Sequence, residues 1–173
     1  MTENNLAKCS GQIIENNELK KHKLLILNSQ FETLHASFTN LASKICDTPA
    51  SIITFVDDEH IWNSKVYELE NSYESPRNEL FCGAVATKND FYEIEDIENN
   101  NQYADNKFLL DGKKCRFYAG APVKLPMGEL IGVLCVFDFK PRKLTKIQRE
   151  VLMGLAEILS KVYTVESLTH ANI

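Results

Sequence analysis

The longest unbroken apolar run in the chain is Leu130 to Phe137, about eight residues with Gly132 among them. A membrane helix needs roughly 20 such residues, so this run reads as a sheet strand and no membrane span is expected. The strand, taken as Glu129 to Phe137, follows Leu125-Pro126-Met127-Gly128, which places Pro and Gly where a tight turn needs them. Ahead of that turn, Arg116 to Lys124 is a second extended segment. The two form a central hairpin around which the rest of the chain must pack.

Further extended segments lie upstream. Ala50 to Val56 is β-branched and apolar, and Ile61, Trp62, Val66 and Tyr67 resume the pattern after Asp57-Asp58-Glu59, a hairpin with a solvated acidic tip. Residues 68–80 read as loop, Glu79 to Thr87 as a two-turn helix and Phe91 to Ile94 as another strand. From Glu95 to Gly112 the chain is polar and Asn-rich, anchored by Tyr103, Phe108, Leu109 and Leu110. A crossing segment of that length is a candidate lid.

Helices flank the strands. Leu19, Leu24, Leu25 and Leu27 suggest a short first helix. Ser29 with Glu32 matches a capping box, and Phe31, Leu34, Phe38, Leu41, Ala42 and Ile45 then recur at helical spacing. Asp47-Thr48-Pro49 ends that helix, because the residue before Pro resists helical geometry. Thr145 with Gln148 makes a second capping box. From there Ile147, Val151, Leu152, Leu155, Ile158, Leu159 and Val162 trace a stripe wide enough for both a core contact and a partner contact. The order of elements gives an α+β fold with an antiparallel sheet and helices mainly on one face. Residues 1–17 read as a flexible arm, 18–168 as a single domain and 169–173 as a tail.

Composition narrows the function classes. The 173 residues carry 19 Lys+Arg against 24 Asp+Glu, a net charge of −5, with the basic residues scattered. That leaves no phosphate-binding face for nucleic acid. The N-terminus shows no apolar stretch behind a basic start, so the expected compartment is the cytoplasm. Five widely spaced cysteines without a C-x-x-C pair read as reduced thiols, outside any disulfide framework or zinc site. The four histidines pair with no ligand at metal spacing, so no metal is expected. Neither a nucleophile elbow nor a phosphate-binding glycine loop occurs.

Several segments together resemble the GAF domain family, small sensory modules related to PAS domains, over roughly Leu24 to Val165. They are Cys46-Asp47-Thr48-Pro49-Ala50 into Ile52 to Asp57, Phe81-Cys82, Asp105 to Gly112, Arg116 to Pro122, Ile131 to Val136, and Pro141-Arg142-Lys143-Leu144-Thr145. Their order is similar to the bacterial signalling branch, in which the domain precedes histidine kinase or cyclic-di-GMP output modules. The resemblance implies five or six antiparallel strands, terminal helices on one face, and a ligand pocket on the other face under the lid. It also implies a homodimer through the terminal helices. The chain stops at Ile173 without an output module, so the expectation is a separate signalling partner or a fragment of a larger sensor.

On that pattern the candidate ligand-binding residues are Trp62, Phe81, Cys82, Tyr103, Asp105, Phe108, Arg116 and Tyr118, with Lys107 as a further polar anchor. An aromatic cup with a few polar groups is the usual make-up of a small-molecule site, although each ring taken alone also suits a core. Arg77 is placed to orient the lid through Asp105. No cofactor is assigned. The family also contains an enzyme, free methionine-R-sulfoxide reductase, whose chemistry needs a nucleophilic thiolate and a resolving thiol. Cys82-Gly83 resembles one of its cysteine segments, whereas Ser72-Tyr73 and Ala104-Asp105 stand where its other cysteines would be, and Cys115 lies near the pocket edge. Cys46, Cys82 and Cys135 read as small buried apolar residues. A bilin reading wants a lid cysteine beside a histidine, and Cys115 has Lys114 and Arg116 as neighbours. Three classes stay open: a non-catalytic sensor of a small molecule, a thiol reductase, and a pocketless dimerisation scaffold.

Overall fold

Period-two alternation sorts the sheet residues between two cores. The computed structural model describes residues 31–57, 60–63, 74–76, 81–105, 109–110 and 112–170. Along β7 (Phe117–Lys124), Phe117, Ala119, Ala121 and Val123 pack into one core, while Tyr118 enters the other. In β8 (Leu130–Asp138), Leu134 and Val136 take the first side and Val133, Cys135 and Phe137 the second. β1 (Ala50–Val56) divides in the same way, Ile53 and Phe55 against Ile52 and Val56. A strand covered on both faces has no polar side to show, which is why Leu130 to Phe137 is continuously apolar.

With β2 (His60–Asn63), β3 (Glu74–Pro76) and β4 (Tyr92–Ile94), these strands form a six-stranded antiparallel sheet in the order β3-β2-β1-β8-β7-β4. The central hairpin turns where expected: the Gly128 amide donates to the Leu125 carbonyl at 2.8 Å, and Gly128 sits at φ +83°, a conformation that favours glycine. A separate two-stranded hairpin, β5 (Leu109–Leu110) and β6 (Lys113–Lys114), lies inside the segment read as a lid. That segment also holds a 3₁₀ turn, Ile97–Asn99. β3 corrects the reading of 68–80 as loop throughout. A three-residue edge strand is too short to leave a periodic signal.

The N- and C-terminal helices, α1 (Glu32–Cys46) and α3 (Lys146–His170), pack on one face, while the short α2 (Phe81–Lys88) lies on the other. The second capping box forms as expected: Gln148 N donates to Thr145 Oγ1 at 3.2 Å and Thr145 N to Gln148 Oε1 at 3.0 Å. Gln148 Nε2 also reaches the Ile45 carbonyl at 3.1 Å, tying the start of α3 to the end of α1. The first capping box is corrected. α1 opens directly behind Phe31, which offers no side-chain cap; Ser29, the proposed first helix and the arm over 1–17 lie outside the described residues. α1 stops at Cys46 as expected, but through Asp47 in the left-handed region (φ 53°), before the proline restriction applies. Asp57, assigned to a solvated tip, is buried.

The helical stripes need adjusting at their edges. Leu41 is exposed, and His35 takes a buried place instead. His35 Nε2 and Tyr163 Oη of α3 are hydrogen-bonded at 2.5 Å, and both rings pack with Phe55 of β1. Burial lowers the His35 pKa to about 4, against an ordinary unfolded value near 6.5. Above pH 6.5 both states are neutral there; between 6.5 and 4 the unfolded chain takes up a proton that the folded site refuses, so stability falls as pH falls. We expect a loss of about 1–2 kcal/mol between pH 8 and pH 5 in urea unfolding. His35→Gln should flatten that slope; a slope unchanged in the variant would assign it to other groups.

Candidate functional site

The face of the sheet opposite α1 and α3 gathers the candidate aromatic and thiol side chains. Tyr118 rises from β7 and is fully buried; Phe81 and Cys82 come from the first turn of α2, and Tyr103 from the turn after the 3₁₀ segment. Phe81 is the hub, with ring centroids 5.3 Å from both Tyr103 and Tyr118. Tyr118 lies in turn 5.3 Å from Phe137. Edge and tilted contacts at these separations are favourable beyond the area they bury.

Gly120 makes the position of Tyr118 possible. A Cβ there would lie 2.9 Å from Tyr118 Cζ and 3.0 Å from Val133 Cγ1, so the tyrosine ring fills the space that a side chain at 120 would need. The Tyr118 hydroxyl is then 3.4 Å from Cys135 Sγ, and Cys135 Sγ is 3.3 Å from Cys82 Sγ. Burial holds the Tyr118 phenol well above its ordinary pKa, so it stays protonated. Burial also raises the Cys135 thiol, followed by its hydrogen bond with Cys82, while that same contact lowers Cys82. Sequence reasoning grouped Cys82 with the pocket and left Cys135 in the core. Register was the missing signal: Cys135 pairs with Gly120 and Ile52, which places it at the centre of this face.

The polar candidates are placed differently. Arg116 forms a two-pronged hydrogen bond to Asp96, Nε to Oδ1 and Nη2 to Oδ2, both 3.0 Å, and Nη1 lies 3.1 Å from Glu98 Oε2. The Ile97 amide donates to the Arg116 carbonyl at 2.7 Å. Arg116 therefore staples the start of the 95–112 segment to β7, a charge-assisted bidentate arrangement with strong geometric preference. Asp105 is exposed at the far end of the following turn. Trp62 lies on β2 across from Phe55 and Glu74. Phe108, Lys107 and Arg77 fall outside the described residues. Among the described residues no cluster of His, Cys, Asp and Glu could hold a metal ion, and no helix is long and apolar enough to cross a membrane.

The sequence pattern of the GAF domain family matches residues 30–162. The chain belongs to the GAF domain family. Among curated proteins, this GAF domain is similar to a cyclic di-GMP phosphodiesterase of Pseudomonas aeruginosa, 27% identical over 131 residues that make up 75% of this chain. The chain spans only 22% of that relative's length. Among solved structures, the GAF domain of an Acinetobacter phosphoenolpyruvate-protein phosphotransferase matches with a TM-score of 0.64 at 17% identity, over 88% of this chain and 95% of that one. Free methionine-R-sulfoxide reductase from Neisseria meningitidis, solved with its substrate, matches with a TM-score of 0.62 at 15% identity, over 88% and 93%. At such identities the structural likeness establishes the fold. GAF is a sensory and regulatory fold, and the same fold also carries enzymes, so function must be argued from the site.

Proposed function

We propose that this GAF domain is a non-catalytic sensor that binds a small molecule against Phe81, Tyr103 and Tyr118 and signals through its terminal helices. The observation that carries this is the placement of the aromatic cluster. It lies on the sheet face away from α1 and α3, and one of its three rings, Tyr103, belongs to the 95–112 segment. The Phe81–Tyr103 contact is the closure. A ligand seated on Tyr118 separates those two rings and shifts the segment toward an open state, by no more than its preference for that state. Arg116 holds the segment at its base, so movement concentrates beyond the 3₁₀ turn.

The opposite face supplies an output. Ile147, Ile158 and Val165 are exposed along α3 at spacings of eleven and seven residues, with Leu152, Leu155 and Leu159 buried behind them. A stripe at that spacing suits a parallel contact with a second copy, since positions seven apart return to the same side of a helix. The same helix thus touches the sheet on one side and a partner protomer on the other. A separate output protein would read the change in helix packing.

Native mass spectrometry of the freshly purified protein, paired with a thermal-shift screen of nucleotides, tetrapyrroles, small organic acids and methionine sulfoxide, tests this reading. A dimer that carries a co-purified mass, or whose melting temperature rises with ligand concentration, is the expected result. An empty protein that no compound stabilises would overturn the sensor reading and leave the scaffold. Turnover of methionine sulfoxide in the presence of a thiol reductant would overturn the non-catalytic assignment.

A further inference from the structure

The Cys82–Cys135 contact plays no part in ligand sensing as described above. Cys82 lies in the first turn of α2 and Cys135 at the centre of β8, fifty-three positions apart in the chain, yet their sulfurs are 3.3 Å apart. A disulfide bond is about 2.05 Å long, so roughly 1.2 Å of approach joins them. Both are buried, and neither is part of a disulfide. Cys82 is 3% exposed and Cys135 is fully enclosed. Two reduced thiols this close, with the Tyr118 hydroxyl 3.4 Å from Cys135, have the proximity that disulfide formation requires.

We propose that Cys82 and Cys135 form an oxidisable dithiol, which a hydroperoxide converts into a disulfide that clamps α2 onto β8. The Cys82 thiolate attacks one peroxide oxygen. The O–O bond breaks, Cys82 becomes a sulfenic acid, and the departing hydroxide takes a proton to leave as water. Cys135 then attacks the Cys82 sulfur: the S–S bond forms, the S–O bond breaks, and a second water leaves with the Cys135 proton. Two thiols and one hydrogen peroxide give one disulfide and two waters, with two electrons passing from the pair to the peroxide. Cys82 is the attacking thiol because it keeps slight exposure, 3% against none for Cys135, and the contact with Cys135 lowers its pKa in the same sense. The enclosed site, with Cys82 3% exposed and Cys135 fully buried, favours so small an oxidant over a bulky disulfide reagent. Elsewhere, burial pushes the Cys46 thiol up to about 11 and the Cys115 thiol to about 12, leaving both poor nucleophiles. The proposal holds whether or not the aromatic cluster takes a ligand.

The test treats the folded full-length chain with hydrogen peroxide, quenches in acid, alkylates free thiols after unfolding, and maps the peptides by mass spectrometry. We expect the alkylatable thiols to fall by two from the five present in the chain. A Cys82–Cys135 cross-linked peptide should appear and be lost on reduction with dithiothreitol. Recovery of both cysteines as alkylated peptides, or a cross-link of either to a different cysteine, would overturn the proposal. In Cys135→Ser, Cys82 should stop at the sulfenic acid and be trapped by a dimedone probe. If that variant does not fold, the wild-type peptide map alone decides.

Discussion

Replacing Arg142 by alanine should destabilise the domain by about 3–5 kcal/mol, among the largest effects expected of any single side chain. Arg142 follows β8 and its side chain is 15% exposed, against 6% for Asp138, to which its Nη2 is paired at 2.8 Å. Its Nη1 donates to the Cys46 carbonyl at 2.7 Å, reaching the end of α1, and its backbone amide bonds to the Glu95 carbonyl at 3.0 Å. Truncation strands a buried carboxylate and removes the link between sheet and helix together. Urea unfolding of Arg142→Ala should show a lower midpoint at an unchanged slope. Adding Asp138→Asn to that variant should return part of the loss, because much of it comes from the unpaired charge. If the second substitution makes matters worse, the charge argument is wrong and the carbonyl contact dominates.

Gly132→Ala is expected to cost about 3 kcal/mol, at the upper end of what overpacking a core does. A Cβ at Gly132 would stand 2.6 Å from the backbone oxygen of Thr54, where Gly132 pairs with Phe55 at the end of the β1–β8 ladder. A flexible side chain could swing aside; a paired carbonyl cannot move without breaking the sheet. Gly120→Ala is the useful contrast, since most of its clash is with the Tyr118 ring, which can tilt. Equilibrium unfolding of the two variants should rank Gly132→Ala as the more damaging. Equal costs would mean that the strands yield as easily as a side chain.

Glu93 illustrates a residue whose role no local pattern could reveal. It lies on the edge strand β4, and its two carboxylate oxygens reach Leu144 N at 2.7 Å and Arg149 Nη2 at 2.6 Å, holding the start of α3 against the sheet. Nothing around position 93 marks it, because its partners are some fifty residues away. Arg116 is the reverse case. The sequence offered it as a ligand anchor, being basic and beside the pocket strand, but Asp96 and Glu98 occupy its guanidinium.

What the sequence determined by itself is what short-range chemistry controls. The Thr145–Gln148 capping box, the glycine turn at 128, the hairpin around it and the α3 stripe split between core and surface all follow from spacing within a few residues. Those features, with the segments that resemble GAF domains, suffice for the fold and the family. Tertiary structure alone decided which strands neighbour one another and which side of the sheet each residue faces. Antiparallel register across β1, β8 and β7 brings Ile52, Cys135 and Gly120 into one row, and the missing side chain at Gly120 lets Tyr118 lie beside the sulfur pair. Cys82 joins them from a separate helix. Distances of that kind join residues far apart in the chain, and local propensity carries no information about them.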